Sequence, residues 1–353
     1  MLIVVFLVII LISLGFIEAF NHYKCRDSVP IRILVNGTRG KTTVSRLIGC
    51  ALEQSGIKTV VKTTGSEAKI IMGDTIIDVP RKRGLNPIRE TKYLFKFASK
   101  AGAKAVVLEC SAIRPEAQVL MGSKLVLPTS VIITNARIDH IDYMGSSKEK
   151  TAQVLKLCVP DGMSFYTSDL IYMGDSQAKL VAKGRTGQEQ NISLALKVLS
   201  DLGIDEETAL KGFENFKPDV GLVGPFFVNG KTIINGFAAN DMESAQELLK
   251  SYNGFTVVYN NRSDREFRLK YFAPLFTDYC QEVIVIGQHV NKVVRYLKKN
   301  AIGCMISGFE GSFDSLIDMC NNTVLCMGNI KGKGMEFIQY CQNKEANNAS
   351  NCS

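Results

Sequence analysis

Short apolar runs alternate with amphipathic stretches along most of this chain. The apolar runs predict buried strands, and stretches with apolar residues three or four positions apart predict helices. Strands and helices that alternate in this way form a mostly parallel sheet with helices on both faces, an α/β fold. In the first part of the chain the pattern predicts strands at 31–35, 58–62, 105–108 and 131–134, a hairpin at 69–79, and helices at 44–52, 87–101, 147–157, 191–202 and 206–216.

The composition changes at residues 218–225, where two prolines and two glycines lie close together. We place a domain boundary there, between 217 and 218. Beyond it, the pattern predicts strands at 231–235, 255–259, 283–286 and 324–327 and a helix at 243–251. The sequence therefore predicts one domain over 21–217, a smaller α/β domain over 218–342 and a disordered polar tail over 343–353.

The N-terminal stretch is almost wholly apolar through residue 17 and stays largely apolar through Phe20. A helix needs about 20 such residues to cross the hydrocarbon layer. Basic residues follow at His22, Lys24 and Arg26, which marks the cytoplasmic side of a span. A cleaved signal peptide would show a basic start and a small-residue cleavage site, and neither is visible. We expect residues 1–20 to be a retained single-pass membrane anchor with cytoplasmic domains after it.

A glycine-rich turn, Gly37-Thr38-Arg39-Gly40-Lys41-Thr42-Thr43, joins the first predicted strand to the first helix. Backbone N–H groups in such a turn, at the positive end of a helix dipole, bind phosphate oxygens. Lys41 would reach the outer phosphates, and the Thr42 hydroxyl would bind Mg²⁺. Val35 stands where the full Walker spacing has a glycine, so the pattern is a shortened form. The residues favour a nucleoside triphosphate site over an ordinary strand-to-helix turn.

Two polar clusters follow other strands at the same predicted sheet edge. Glu109 ends an apolar strand, where it could share a Mg²⁺ ion with Thr42 or be a solvent-exposed strand end. The second cluster is Asp139-His140-Ile141-Asp142, after the strand at 131–134. His140 could bind a second metal ion, oriented by a neighbouring aspartate. The alternative is a polar loop with a capping aspartate.

Composition narrows the function classes. The chain has 353 residues, 10 cysteines without a C-x-x-C pair and a formal net charge of +8. Several cysteines lie in apolar surroundings, which favours reduced, buried thiols over a disulfide framework or a zinc site. The positive charge is densest at Arg81-Lys82-Arg83, without a zinc-finger or RNA-recognition pattern. We therefore expect no nucleic-acid partner.

In combination these motifs resemble those of the Mur-type ligases, the family of the muramyl peptide ligases and folylpolyglutamate synthases. The phosphate loop, Glu109 and Asp139-His140-x-Asp142-x-x-Gly145 occur in the family's order. Further segments are similar to the poly-γ-glutamate synthase branch, at 62–65, 191–196, 202–209, 228–229, 235–241, 261–265 and 328–332. The resemblance runs from the anchor to about residue 334. It implies a P-loop-type Mur ligase domain and a smaller α/β C-terminal domain.

The resemblance also implies roles for individual residues. Residues 37–43 would hold the β- and γ-phosphates of ATP, Thr42 and Glu109 the first Mg²⁺, and His140 the second. Asn191 would contact adenine. The second domain would complete the ATP site with Asn240, Asp241, Arg262, Asp264 and Arg265.

Three features depart from the family pattern. Val154 stands where some Mur ligases have a carbamylated lysine near the second metal, counting without gaps from His140. The turn at 219–221 is not followed by the arginine of bacterial relatives. The phosphate loop follows the anchor directly, without a UDP-binding domain, so a UDP-muramyl substrate is not expected.

The sequence therefore predicts a membrane-anchored, ATP-dependent amide ligase that forms γ-glutamyl bonds through an acyl phosphate. Lys41 and two Mg²⁺ ions would neutralise the transferring phosphoryl group. Arg39, inside the loop, could stabilise the developing acyl phosphate, and the alternative is a structural arginine. Thr64 and Arg83 could border the acceptor, glutamate or growing poly-γ-glutamate. The alternatives are a membrane-complex ATPase or nucleotide switch without a covalent product, and a folylpolyglutamate synthase. The resemblance implies integral-membrane companions, and the sequence is compatible with a homo-oligomer.

Overall fold

The computed structural model divides into two compact units, residues 1–217 and 218–353. The structure describes residues 1–64, 68–81, 84, 86–182, 184, 186–216, 225–237, 239 and 242–350, with the backbone alone at 265, 267 and 348–350. The domain limits drawn from the sequence stay predictions, because residues 217–224 lie outside this part.

The first unit is built on an eight-stranded sheet. Its strands are β1 Ile31–Asn36, β2 Thr59–Thr63, β3 Lys69–Met72, β4 Thr75–Asp78, β5 Ala105–Glu109, β6 Ser130–Ile133, β7 Phe165–Thr167 and β8 Ala178–Leu180. They lie in the order β4-β3-β2-β5-β1-β6-β7-β8. β3 pairs antiparallel with β2 and β4, and the pairs from β2 to β8 across the rest of the sheet are parallel. The predicted, mostly parallel α/β sheet is confirmed.

Helices cover both faces of this sheet. They are α1 Leu2–Asp27, α2 Lys41–Gln54, α3 Pro87–Lys100, α4 Pro115–Leu120, α5 Ile141–Met144, α6 Lys148–Lys156, α7 Gly187–Asp201 and α8 Glu206–Glu214, with a π-helical turn at Met121–Val126 and a 3-10 turn at Leu170–Tyr172. Leu34 of β1 packs in the core that contains Phe95 of α3, whereas its neighbour Val35 packs in the core that contains Ile48 of α2. Burial on both faces explains why the strands are continuous apolar runs.

The direction of the helices matters for the site. α2 follows the carboxyl end of β1, and α3 follows β4, which runs in the same direction as β2 because both pair antiparallel with β3. Both helices therefore begin at the carboxyl edge of the sheet and run back toward its amino edge.

Helix α1 extends beyond the predicted anchor. Its apolar side chains from Leu2 to Ile17 are largely exposed, and by length and composition it could cross a membrane, with a mean hydropathy of 2.9. The helix continues without a break to Asp27, and its last turns contact α3 and the π-helical turn. Residues 21–27 therefore belong both to the long apolar helix and to the packed first unit.

The second unit is a six-stranded sheet in the order β13-β12-β11-β14-β10-β9. Its strands are β9 Phe226–Val228, β10 Lys231–Asn235, β11 Phe255–Asn261, β12 Glu282–Gly287, β13 Met305–Gly308 and β14 Thr323–Gly328. Its helices are α9 Met242–Lys250, α10 Leu269–Tyr279, α11 Val290–Asn300, α12 Phe313–Met319 and α13 Lys333–Ser350, with a 3-10 turn at Ser263–Arg268. β9 is antiparallel to β10, and the other pairs are parallel.

The C-terminal tail differs from its prediction. Residues 343–350 continue helix α13, and 351–353 lie outside the described part. The helix is held by polar contacts with its own unit. Lys344 Nζ lies 3.3 Å from Asp314 Oδ1, and Glu345 Oε1 accepts a hydrogen bond of 2.9 Å from the Phe227 N–H.

Candidate functional site

The turn between β1 and α2 has a backbone that requires glycine at both ends. Gly37 has φ +121° and Gly40 has φ +82°. Residues other than glycine rarely adopt such positive φ values. A Cβ on Gly37 would lie 2.1 Å from Thr134 Oγ1, and one on Gly40 would lie 2.3 Å from Asn191 Oδ1. The loop is therefore packed closely against β6 and α7, and Asn191 lies beside the phosphate loop. Its predicted adenine contact stays a prediction.

Lys41 begins α2 and folds back across the loop. Its Nζ donates to the carbonyls of Gly37 and Thr38 at 2.7 and 3.2 Å. Because the first N–H groups of a helix have no partner within the helix, the start of α2, including Thr42 and Thr43, presents donors and a partial positive charge at the same place. The Lys41 ammonium group and the N-terminal end of α2 together suit a multiply charged phosphate ligand.

Glu109 connects three chain segments at this edge. Its carboxylate is 3% exposed, and Oε2 accepts hydrogen bonds from Thr42 Oγ1 at 2.9 Å and from the Thr64 N–H at 2.7 Å. In the parallel register Glu109 lies beside Val35, at the foot of the phosphate loop. A hydroxyl and a carboxylate side by side are oxygen donors of the kind that Mg²⁺ prefers. These two side chains fit a Mg²⁺ site.

The loop after β6 holds the phosphate loop from the other side. The Asn135 carbonyl accepts from the Thr38 N–H at 2.9 Å, and Asn135 Oδ1 accepts from the Arg39 N–H at 3.0 Å. Asn135 Nδ2 donates to the Arg39 carbonyl at 3.1 Å. Thr38 Oγ1 donates to the Arg137 carbonyl at 3.0 Å. These contacts fix the backbone of Arg39 and place the segment that leads to His140 against the phosphate loop.

His140 lies three residues after Arg137, at the start of α5. It has φ +47°, its side chain is 25% exposed, and its Nε2 lies 4.0 Å from Asp139 Oδ2. In the part of the chain that the structure describes, no group of three His, Cys, Asp or Glu side chains is arranged as a metal site. Val154 packs half-buried against the core. His140 thus lies just after the segment that is hydrogen-bonded to the phosphate loop. Its role as a second metal ligand stays a prediction.

A buried polar network supports the loop from below. Asn36, the last residue of β1, donates through Nδ2 to Gln118 Oε1 at 2.9 Å and to the Leu155 carbonyl at 3.1 Å. Gln118 in turn donates to the Ala112 carbonyl at 2.8 Å. Sequence reasoning missed Asn36 and Gln118, and it gave Asn135 no role. Asn36 could have been identified from the sequence, because it is a polar residue at the end of an apolar strand.

A second buried network lies between β2 and α3. Lys62 Nζ is 2.8 Å from Glu90 Oε2, and Arg81 donates to the same carboxylate at 2.8 and 3.1 Å. Burial alone would raise the pKa of Glu90, but the Arg81 hydrogen bonds and the Lys62 charge outweigh it and hold that pKa below its usual value. The network ties the exit of the β3–β4 hairpin to α3. Arg83, the predicted acceptor residue, lies outside the described residues, whereas Thr64 contacts Glu109.

The carboxyl edge of the second sheet carries a cluster of buried amides. Asn260 and Asn261 are each 1% exposed. Asn260 Nδ2 donates to the Asn329 and Lys331 carbonyls, and Arg268 Nη1 donates to Asn329 Oδ1 at 2.8 Å. Asn260 Oδ1, Asn261 Oδ1 and Asn329 Nδ2 have no hydrogen-bond partner among the described residues. Buried polar atoms of this kind call for a ligand or water.

The residues predicted to reach ATP from the second unit are only partly described. Arg262 donates to Asp264 at 2.7 Å, near the end of β11. The side chain of Arg265 and the whole of Asn240 and Asp241 lie outside the described part. Their predicted contacts with nucleotide stay predictions.

Comparisons with known proteins agree with this architecture. Residues 35–194 match the model of the Mur ligase middle domain, and residues 225–344 match that of the poly-gamma-glutamate synthase CapB C-terminal domain. The chain is 31% identical to PGA synthase CapB of Bacillus subtilis (strain 168), over 94% of this chain and 95% of that protein. It is 33% identical to the capsule biosynthesis protein CapB of Bacillus anthracis, over 79% of this chain and 67% of that protein.

Solved structures show the same fold at low identity. A folylpolyglutamate synthase from Thermotoga maritima is 15% identical with a TM-score of 0.66, covering 91% of this chain and 92% of that one. FolC of E. coli in complex with ADP is 13% identical with a TM-score of 0.66, covering 96% and 95%. MurF of Acinetobacter baumannii is 12% identical with a TM-score of 0.65, covering 93% and 80%. The predicted Mur ligase fold and ligase class are confirmed, and the chain belongs to the CapB family of poly-γ-glutamate synthases, which are ATP-dependent ligases of the Mur ligase fold.

Proposed function

We propose that this chain joins glutamate residues through γ-amide bonds, using ATP to activate a carboxylate at the edge where β1, β2 and β5 end. The observation that carries the proposal is the convergence of Lys41, Thr42 and Glu109 on one phosphate loop, in a chain of the CapB family. The B. subtilis relative is called a PGA synthase. The acceptor would be glutamate or the growing polymer.

The proposed reaction has two steps. A carboxylate oxygen of the acceptor attacks the γ-phosphorus of ATP, the bond to ADP breaks, and an acyl phosphate forms. The amine of the next glutamate then attacks the acyl carbon. A C–N bond forms, the C–O bond to phosphate breaks, and the amine loses a proton to solvent. Phosphate and the lengthened chain leave.

The residues of the loop would orient and stabilise these groups. Lys41 Nζ would exchange its two loop carbonyls for oxygens of the transferring phosphoryl group. The backbone clamp by Asn135 fixes Arg39 at the loop, where its guanidinium would stabilise the acyl phosphate. Thr42 and Glu109 would hold Mg²⁺, which supplies charge neutralisation to the phosphates when bound. His140 would hold a second ion.

The test measures ATP-dependent incorporation of labelled glutamate, together with phosphate release, in membranes that contain the full chain. We expect incorporation in the parent protein and its loss in Glu109→Gln. Glu116→Gln, at an exposed position on α4, is the matched control and should keep activity. Phosphate release that is unaffected by glutamate, with no polymer formed, would favour the ATPase or switch alternative instead. Extension of a folate in place of glutamate polymer would favour the folylpolyglutamate alternative.

We also propose that α1 anchors the chain in the membrane, with both units cytoplasmic, and that small integral-membrane proteins accompany it. The support is the apolar exposed segment from Leu2 to Ile17 and the basic residues after it. Co-purification from detergent-solubilised membranes tests the companions, and the mass of the purified particle tests whether the chain is a homo-oligomer.

A further inference from the structure

The carboxyl-terminal end of α1 is built into the first unit. His22 and Arg26 are each 6% exposed, and they donate to the carbonyls of Leu125 and Lys124 at 2.8 and 2.6 Å. These carbonyls belong to the π-helical turn, and the last carbonyls of a helix lack partners within it. The His22 ring also meets Phe95 of α3 edge-on, with centroids 5.8 Å apart. Helix α1 is therefore fixed to the domain and is not a flexible tether.

Helices α1 and α3 lie side by side and run in the same direction. Glu18 pairs with Lys92 at 2.8 Å, and further along both helices Ser28 Oγ donates to Ser99 Oγ at 2.9 Å. The ring contact just described lies between these two pairs. Residues of α3 that precede Lys92 must then lie beside the apolar part of α1. At the rise of an α-helix, the first turn of α3 extends about 6 Å beyond the pair, toward the membrane.

We infer that the start of α3 rests on the anionic headgroup layer of the membrane that α1 crosses, an inference that depends on the proposed anchoring. The contacting surface, here called the α3 surface, consists of Ile88, Arg89, Lys92 and Tyr93. Ile88 and Tyr93 are 37% and 39% exposed, and Arg89 is exposed one turn before Lys92. Aliphatic, aromatic and basic side chains together suit the boundary between acyl chains and anionic headgroups.

Arg81 adds a further positive charge at this level. It is bound to Glu90, in the first turn of α3, by two hydrogen bonds. Lys92 and Arg89 both interact electrostatically with Glu18, the first acidic residue of α1. Three cations, Arg81, Arg89 and Lys92, stand against two carboxylates, Glu18 and Glu90, which leaves net positive charge at this level.

The topology then fixes which edge of the sheet faces the lipid. α3 begins at the carboxyl edge, as does α2 with the phosphate loop. The edge that carries Lys41 and Glu109 therefore faces the membrane, and the amino edge, where Lys104 is exposed, faces away. The growing polymer would then be made at the membrane surface.

The test uses the full chain in nanodiscs that contain anionic or purely zwitterionic phospholipid. A photoreactive amino acid replaces Arg89 in one variant and Lys104 in another, because both positions are exposed and tolerate change. We expect about tenfold more lipid adducts from position 89 than from position 104, and more with anionic lipid. Equal adducts, or an excess at 104, would overturn the orientation.

A pair of charge reversals sharpens the test. Arg89→Glu and Lys100→Glu make the same change at opposite ends of α3. With the photoreactive residue at Tyr93, the first should lower anionic-lipid adducts about tenfold and the second should leave them nearly unchanged. Equal losses would indicate general attraction of a basic protein and would contradict the α3 surface.

Glutamate incorporation measured on the same nanodiscs separates this inference from the proposed function. Adducts at position 89 without any incorporation would count against the ligase proposal and leave the orientation standing. Incorporation without adducts would overturn the orientation alone. Extraction of the chain from membranes by alkaline carbonate would contradict both the membrane anchor and the α3 surface. Glutamate incorporation would still test the ligase proposal.

Discussion

The two mostly parallel sheets of this protein end in polar edges that are organised in opposite ways. At the edge of the first sheet, the phosphate loop is hydrogen-bonded to Asn135 through donors and acceptors of both partners. At the edge of the second, Asn260 and Asn261 are buried with side-chain oxygens that have no partner among the described residues. The first edge is preorganised for its ligand, as electrostatic catalysis requires. The second is incomplete and needs water, ligand or another segment to satisfy it.

The largest effect expected from breaking the first edge is on catalysis. Lys41→Ala removes the ammonium group that we propose neutralises the transferring phosphoryl group, and we expect kcat for glutamate incorporation to fall at least about a thousandfold. Lys58→Ala, at an exposed position before β2, should have little effect. Comparable losses in both variants would show that general charge, and not the loop, matters.

The buried ions beside this edge give the next largest effect, on stability. Glu90→Gln leaves Lys62 and Arg81 without their carboxylate, and we expect unfolding free energy to fall by about 3 kcal/mol at neutral pH in urea titrations. Because the folded-state pKa of Glu90 is lowered, its contribution is present above the unfolded pKa of about 4.3 and is lost as pH falls through the folded value. The difference between parent and variant should therefore shrink in acid. A difference that is constant with pH would contradict the ionic network.

Two glycine variants separate backbone strain from close packing at the first edge. Gly37→Ala combines positive φ with a clash against Thr134, and we expect ATP affinity to fall about 30-fold, equivalent to about 2 kcal/mol. Gly56→Ala also places a side chain at positive φ, here +79°, but meets nothing within 4 Å. It should lower stability slightly and leave ATP affinity, measured by calorimetric titration, unchanged. Equal affinity in the two variants would argue against the packed loop.

The smallest effect concerns the second edge. Asn260→Ala removes two side-chain hydrogen bonds to the Asn329 and Lys331 carbonyls, but it also removes an oxygen that lacks a partner. These effects oppose each other, so we expect a stability loss of only about 1 kcal/mol. Asn322→Ala, at an exposed position before β14, is the control for urea titration. A loss of several kcal/mol would show that the second edge is as tightly organised as the first.

The sequence was sufficient for features that depend on local order. Buried parallel strands appear as apolar runs, and the phosphate loop is one continuous segment with its strand and helix, so both could be predicted. The proximity of Thr42 and Glu109 followed from the rule that parallel strands share a carboxyl edge, and the structure places them 2.9 Å apart.

The remaining features depend on contacts between distant segments. Asn36 meets Gln118, and Lys62 meets Glu90, only because the fold brings separate elements together, and no local pattern marks these pairs. Short strands such as β7 and β8 have too few residues for a visible period. Residues 343–350 are polar, which indicated disorder, yet Lys344 and Glu345 find partners on the folded unit. Composition alone does not show such partners.

The dual membership of α1 has a consequence for shortened forms of the enzyme. Removing the whole of Leu2–Asp27 to obtain a water-soluble protein would strip the side chains of His22 and Arg26 from the Leu125 and Lys124 carbonyls. Each buried acceptor left bare costs about 1–3 kcal/mol, a large share of a typical domain's stability. A truncation that starts at Asn21 keeps both hydrogen bonds. One that starts at Ile31 loses them and therefore destabilises the π-helical turn that follows α4.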